Sequence, residues 1–361
     1  MFGTVPGARS GAVHAPRQIL IPTLVRIKPG ALDRVGLYAR RYDLQRIVLL
    51  VSQDLPPNLI RRLTDSLRGE RIEILDCQSV LHASFEQAQA SFSRLPSRAQ
   101  AVLGLGGGKA LDTAKYVAFL SRLPYIAIPT SLSNDGFCSP QSSLTLDGKR
   151  RSLPSRMPFG VVVDTAVTHD APETLWWSGI GDLVSKVTAI CDWKLAFQAQ
   201  GTRVDDFAAL LSDATVFQFV GRPIRDLAGE ALLANALMLN GVAMEVCGSS
   251  RPASGSEHLI SHALDSMSPR PRLHGLQVGI ATYLMSHLQR QGTELVRSLF
   301  DCTRFWEAFR KDPLSRQEWI AAVRLGPTLK QDFYTILSER DWTGEVERLL
   351  AEDAPLQAVF A

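Results

Sequence analysis

Two histidines four residues apart stand in Ser254-Gly255-Ser256-Glu257-His258-Leu259-Ile260-Ser261-His262. On a helix, residues at that spacing project from one face. His274-Gly275 follows beyond a link interrupted by Pro269 and Pro271, so three of the seven histidines fall in one short stretch. Any one alone reads as a polar side chain at a helix boundary. Together they fit a metal or catalytic site. A catalytic zinc takes three protein ligands and leaves one position open, so a third ligand of Asp, Glu or His type is expected. Ser178-Gly179-Ile180-Gly181-Asp182 offers Asp182, which the glycines set at a helix start with little steric cover. Such a residue is more often an N-cap, and spacing leaves both readings open.

A second kind of chemistry is written in Leu103-Gly104-Leu105-Gly106-Gly107-Gly108-Lys109-Ala110-Leu111-Asp112. Three successive glycines between a strand and a helix allow a sharp turn and close approach of a ligand, with the helix N–H groups pointing at it. Pyrophosphate is the usual guest. Because Leu111 stands where a third spaced glycine is required, the run is not a G-x-G-x-x-G fingerprint. An acidic residue accepting from the ribose 2′-OH normally selects NAD. Here the preceding strand ends in Ser52-Gln53, with Asp54 one step later, so NAD and NADP both remain open. The loop Pro129-Thr130-Ser131-Leu132-Ser133-Asn134-Asp135-Gly136 adds hydroxyls suited to a nucleotide or a sugar-like substrate, although ordinary turns favour the same residues.

These groups need a scaffold, and the chain changes character halfway. Strands are expected at Arg46 to Val51, Arg71 to Leu75, Ala101 to Leu105 and Tyr125 to Ile128. Helical periods at Pro57 to Leu67, Ser84 to Arg94 and Ala110 to Leu120 alternate with them, the mark of a parallel, Rossmann-like sheet in an α/β domain. From about Asp170 strand-like runs disappear. Long helical periods follow at Leu183 to Phe197, Ala231 to Met244 and Leu276 to Leu288, with Pro172 at a helix start. An α/β dinucleotide-binding domain over 18–169 and an all-helical metal- and substrate-binding domain over 170–361 are therefore expected, with the ligand site in the cleft between them.

At 361 residues two domains are the natural division. With 45% hydrophobic and 21% charged residues the chain has globular composition. A net charge of +3, carried by scattered Lys and Arg, lacks the clustering that nucleic-acid binding requires. Five dispersed cysteines without a C-x-x-C spacing suit reduced thiols in the cytoplasm. Residues 1–17 have no apolar core of the secretory kind and are expected to form a loose arm ordered by a partner subunit of a homo-oligomer. No membrane association is expected, since no transmembrane run stands out.

Four segments, taken together, resemble the sn-glycerol-1-phosphate dehydrogenase family, a relative of glycerol dehydrogenase, iron-containing alcohol dehydrogenase and 3-dehydroquinate synthase. They are Gly106-Gly107-Gly108-Lys109, Pro129 through Gly136, Gly179-Ile180-Gly181-Asp182-Leu183-Val184-Ser185-Lys186, and Gly255-Ser256-Glu257-His258 through His274-Gly275. Cys191-Asp192-Trp193-Lys194-Leu195-Ala196 and Phe333-Tyr334-Thr335-Ile336-Leu337 resemble it as well, so the likeness runs from about Arg26 to Leu337. The resemblance implies a dehydroquinate synthase-like fold, with Asp182, His258 and His274 holding zinc or another divalent metal. It implies that Asp135 and His262 contact substrate, that NAD or NADP lies along Gly106, Gly107, Gly108, Lys109 and Asp112, and that Thr130, Ser133 and Ser139 border it. The implied reaction is reversible reduction of dihydroxyacetone phosphate to sn-glycerol 1-phosphate. A polyol dehydrogenase, or a dehydroquinate synthase-like cyclase or lyase using NAD transiently, is the alternative. Iron-containing alcohol dehydrogenases carry a histidine four residues after the aspartate. Lys186 stands there instead, and an ammonium has no lone pair to give. Lys186 itself reads either as an exposed helix charge or as a catalytic, phosphate-facing group. Leu276 departs from the family, which usually has an acidic residue at that place.

Overall fold

The computed structural model describes residues 18–361, so the arm expected over 1–17 lies outside the described residues. Strands β1 (Leu24–Ile27), β2 (Arg46–Ser52), β3 (Glu73–Val80), β4 (Ala101–Gly106), β5 (Tyr125–Pro129) and β8 (Gly160–Val163) form one six-stranded sheet in the order β1-β8-β5-β4-β2-β3. Every pairing in it is parallel. From β2 the chain first adds β3 on one side, then returns to add β4 on the other. The topological switch point, where open α/β sheets bind ligands, therefore falls between Ser52 and Gly106 at the carboxyl ends of β2 and β4.

Helices α1 (Val35–Arg40), α2 (Pro57–Gly69), α3 (Phe85–Ser93), α4 (Gly108–Ser121) and α5 (Thr165–His169) alternate with the strands. Both sheet faces are covered, which is why β2 and β4 are continuous apolar runs rather than alternating ones. Ile47, Leu49 and Val51 enter the core under α1 and α2, while Val48 and Leu50 enter the one under α3 and α4. The second of these cores continues through Trp176, Ile180 and Leu237 into the helical half, so one apolar mass ties the two halves together.

Four strands escaped the sequence reading: β1, β8 and both arms of the antiparallel hairpin β6 (Gln141–Leu146) and β7 (Lys149–Pro154). The first two are only four residues long, too short for periodicity to register. The strand expected at Arg71 starts at Glu73 instead, because Arg71 adopts φ 57° in closing the turn after α2.

The rest is helical: α6 (Glu173–Val184), α7 (Lys186–Gln200), α8 (Asp206–Val220), α9 (Leu227–Cys247), α10 (Ser256–Met267), α11 (His274–Gln289), α12 (Thr293–Thr303), α13 (Arg316–Leu325), α14 (Thr343–Glu352) and α15 (Ala354–Val359). The single helix expected from Leu183 to Phe197 is two, broken at Ser185. The Ser185 hydroxyl and the Lys186 ammonium both donate to the Asp182 carbonyl, at 2.7 and 2.8 Å, and so occupy the acceptor that would continue the helix. Among the described residues only α9 is long and apolar enough to cross a membrane. It is mostly buried against α8 and α6, and Glu230 and Asn240 are enclosed within it, so it is a core helix.

Candidate metal centre and cofactor cradle

Asp182 comes from the last turn of α6, not from a helix start as its glycines suggested. Those glycines do a different job. A Cβ on Gly179 would fall 1.9 Å from the Leu132 carbonyl oxygen, and one on Gly181 would fall 2.0 Å from that of Gly275. Only glycine lets α6 lie this close to the loop after β5 and to the start of α11. Ser178 tightens the first contact by donating its hydroxyl to the Ser133 carbonyl at 2.8 Å.

Three elements converge at this corner. Asp182, His258 from the first turn of α10 and His274 from the first residue of α11 bring one ligand atom each within 4.8 Å of one another. Asp182 Oδ1 lies 3.6 Å from His258 Nε2 and 3.9 Å from His274 Nε2. Asp182 is 1% exposed, yet its Oδ1 has no hydrogen-bond partner. Leaving such an oxygen unpaired is unfavourable, and a cation facing it and two imidazoles resolves the conflict. The remaining atoms of the corner are already engaged. Asp182 Oδ2 accepts from the Asp135 amide at 2.8 Å, His258 Nδ1 bonds Glu257 Oε1 at 2.8 Å, and His274 Nδ1 shares a hydrogen bond with Ser261 Oγ at 3.1 Å. Partners at both Nδ1 atoms turn both Nε2 atoms toward the aspartate, the arrangement typical of metal-binding imidazoles.

Lys186 is fully buried, which corrects the exposed-charge reading. Its ammonium lies 3.2 Å from Asp135 Oδ2 and 3.7 Å from Asp182 Oδ1. Burial disfavours charge on every member of this cluster, and the balance differs by position. Burial and the Asp182 charge raise the Asp135 pKa, with Lys186 pulling the other way. For Asp182 burial is outweighed by Lys186, His258 and His274, and the carboxyl stays ionised well below its usual range. For Lys186 both carboxylates overcome burial, so the ammonium is retained. His262 projects beside these residues, its ring 6.1 Å from that of His274 and open to solvent. The surrounding walls desolvate that ring, and with the charges of His258, Arg150 and Lys330 they lower its pKa to about 3.

The glycine turn begins α4. Gly106 has φ 141°, and a side chain there would collide with Ser52 Oγ, which accepts from the Gly107 amide at 3.2 Å. Nothing lies within 4 Å of a Cβ built on Gly107, and only Asn134 approaches one on Gly108, at 3.9 Å. The turn thus leaves open room over a helix N-terminus at the topological switch point, a fit for a dinucleotide phosphate. Lys109 is exposed at this end of α4, and the Thr130 amide donates to the Gly106 carbonyl at 3.1 Å, which sets the second loop beside the turn.

Asp112 and Ser139 face another way. Lys115, also buried, donates to the Gly136 carbonyl at 2.6 Å and to Ser139 Oγ at 3.2 Å, and pairs with Asp112 at 3.3 Å. Burial raises the Asp112 pKa, against the pull of Lys115 and Arg150. Lys115 therefore ties α4 to the loop that carries Asp135. Sequence reasoning missed it, although its spacing three residues after Asp112 is that of a helical ion pair. Glu257 and Ser261 were quoted only as motif letters. Their supporting role needs the fold to be visible. Leu276 is buried in the core.

A parallel sheet, a helical half and a three-ligand corner among its helices define a class with known members. The family model described as iron-containing alcohol dehydrogenase matches residues 26–172. A glycerol dehydrogenase from Schizosaccharomyces pombe superposes with a TM-score of 0.75 at 20% identity, covering 95% of this chain and 91% of that one. Among proteins of similar sequence, the glycerol-1-phosphate dehydrogenase (NAD(P)+) of Methanothermobacter thermautotrophicus is 32% identical over 344 residues, 93% of this chain and 98% of that protein. That of Metallosphaera sedula is 33% identical over 346 residues, 93% of this chain and 97% of the relative. The chain belongs to the glycerol-1-phosphate dehydrogenase family.

Proposed function

We propose that this chain catalyses the reversible, NAD(P)H-linked reduction of dihydroxyacetone phosphate to sn-glycerol 1-phosphate. Asp182, His258 and His274 would hold a divalent metal, zinc by the character of an O, N, N donor set. The observation that carries this reading is the unpartnered Asp182 Oδ1 facing two imidazole Nε2 atoms, in a chain of this family. When bound, the metal supplies Lewis-acid polarisation of a ketone oxygen and the nicotinamide supplies hydride.

The residues do the rest. Gly106, Gly107 and Gly108 give the cofactor pyrophosphate its room, with Lys109, Thr130 and Ser133 at its border, while Asp112 and Ser139 hold that wall through Lys115. The role we assign to Lys186 is to keep Asp135 and Asp182 ionised side by side. Asp135 and His262 contact substrate. A neutral imidazole offers one nitrogen as donor and the other as acceptor, enough to pass a proton between the cleft and the substrate oxygen. On this reading 18–169 serves the cofactor and 170–361 the metal and substrate. Five free thiols fit the reducing cytoplasm, and a homo-oligomer is the assembly we expect.

The test follows NAD(P)H absorbance with dihydroxyacetone phosphate, dihydroxyacetone and glycerol, with and without added zinc. Metal-dependent oxidation of NAD(P)H by dihydroxyacetone phosphate is expected. Preference for the unphosphorylated compounds would move the reading to a polyol dehydrogenase, and absence of any redox change would defeat it.

A further inference from the structure

Phe333 opens the near-terminal stretch that the metal and cofactor sites leave unexplained. Two cations stack on its ring, the Lys330 ammonium at 3.6 Å and the Arg251 guanidinium at 3.8 Å from the centroid. Arg251 is 4% exposed and is held by the Tyr334 carbonyl at 2.6 Å, while Lys330 donates to Ser250 Oγ at 3.1 Å. Among the described residues neither cation has a carboxylate within ion-pair distance, although other basic groups here do. Two like charges share one ring, and the Asp192 charge acts on Arg251 from beyond ion-pair distance, so an anion at the Lys330 side would complete the arrangement.

Their place in the fold sets them beside α10. Ser250 and Arg251 lead into α10, which carries His258 and His262. Gly326, shortly before Lys330, packs on Leu259 of that helix, with Leu259 Cβ 3.4 Å from a Cβ built on the glycine. The Lys330 charge acts on His262, and the surrounding protein together with Arg251 lowers the Lys330 pKa to about 8. Arg150, the other cation near His262, is already engaged by Asp265 at 3.5 Å and Ser143 Oγ at 2.7 Å.

We propose that Lys330 and Arg251, stacked on Phe333, form the phosphate-binding end of the substrate pocket and select a phosphate monoester over the free polyol. This rests on the reductase reading above for the identity of the ligand, not for the existence of an anion site. Lys330 is the contact residue; Arg251 adds charge from behind it and orders the Phe333 segment.

The experiment uses the zinc-supplemented full chain and K330M, which keeps the length of the side chain and loses its charge. Loss of one charge-assisted contact predicts a KM for dihydroxyacetone phosphate raised about 10- to 100-fold with kcat changed far less. The kcat/KM for dihydroxyacetone, which has no phosphate, stays the same. Inorganic phosphate should raise the melting temperature of the parent protein and not that of K330M, a readout that needs no turnover. R251K, which retains the buried charge, should show an intermediate KM. If neither ketone is reduced while phosphate protects the parent alone, the anion site stands and the reductase reading falls. An unchanged KM and unchanged phosphate protection in K330M overturns the proposal. So does a loss confined to KM for NADPH over NADH, which would assign the phosphate to the nucleotide.

Discussion

The glycine turn and the metal corner are linked through the loop after β5 and are built on opposite principles. At Gly107 and Gly108 the chain works by leaving space: backbone amides at a helix start, with almost nothing above them. At Asp182 the space is filled. Two carboxylates, a lysine and two histidines crowd together under cover, with one oxygen left unmatched. The first region is tuned by shape and the second by charge, so their failures should differ in kind.

The largest effect is expected from Asp182→Asn. The replacement has nearly the same shape but removes the anionic ligand, so metal retention should fail and turnover drop at least about a thousand-fold. NAD(P)H affinity, followed by nucleotide fluorescence, should stay close to the parent value. Lys186→Met comes next. It strands two buried carboxylates without their cation, which should destabilise the metal-free protein by about 3 kcal/mol in chemical denaturation. Added metal should recover part of the loss.

Gly107→Val probes the opposite principle. No protein atom opposes the new side chain, so the melting temperature should hold while NAD(P)H affinity falls about 10-fold or more. A collapse in stability with affinity intact would erase the contrast between the regions.

Glu230 supplies the smallest effect and a control for a buried carboxyl away from the metal corner. It is a buried carboxyl on α9 whose Oε1 accepts no hydrogen bond and lies 4.0 Å from His169 Nδ1 and from Arg225 Nε, and burial raises its pKa to about 7 against the pull of Thr168 and Arg225. Its folded-state pKa lies above the unfolded value of 4.5, so the folded state keeps the proton longer. That contribution to stability is complete below pH 4.5 and is lost as pH rises to about 7. Glu230→Gln should remove this slope and stabilise the protein by about 1–2 kcal/mol above pH 7, with metal content unchanged.

How much of this was legible in the sequence follows the same division. The glycine turn was readable because its geometry is local: strand, three glycines and helix are contiguous. His258 and His274 were readable from clustering. Asp182 does group with His258 and His274, but not from the helix start that its glycines suggested, since Gly179 and Gly181 serve close packing between α6, the β5 loop and α11. Lys186 was taken for a possible surface charge because an i+4 spacing carries no information about burial. Its partner Asp135 is far away in sequence and meets it only through the fold. Lys330 and Arg251 were invisible for a similar reason: Phe333 joins them, and no spacing rule does.

The most direct test of the account is divalent metal content and NAD(P)H binding measured together on the parent chain and His274→Ala. One metal ion per chain is predicted in the parent and none in the variant after dialysis against chelator, with NAD(P)H affinity equal in both and turnover lost in the variant. Full metal retention, or full activity, in chelated His274→Ala would contradict it.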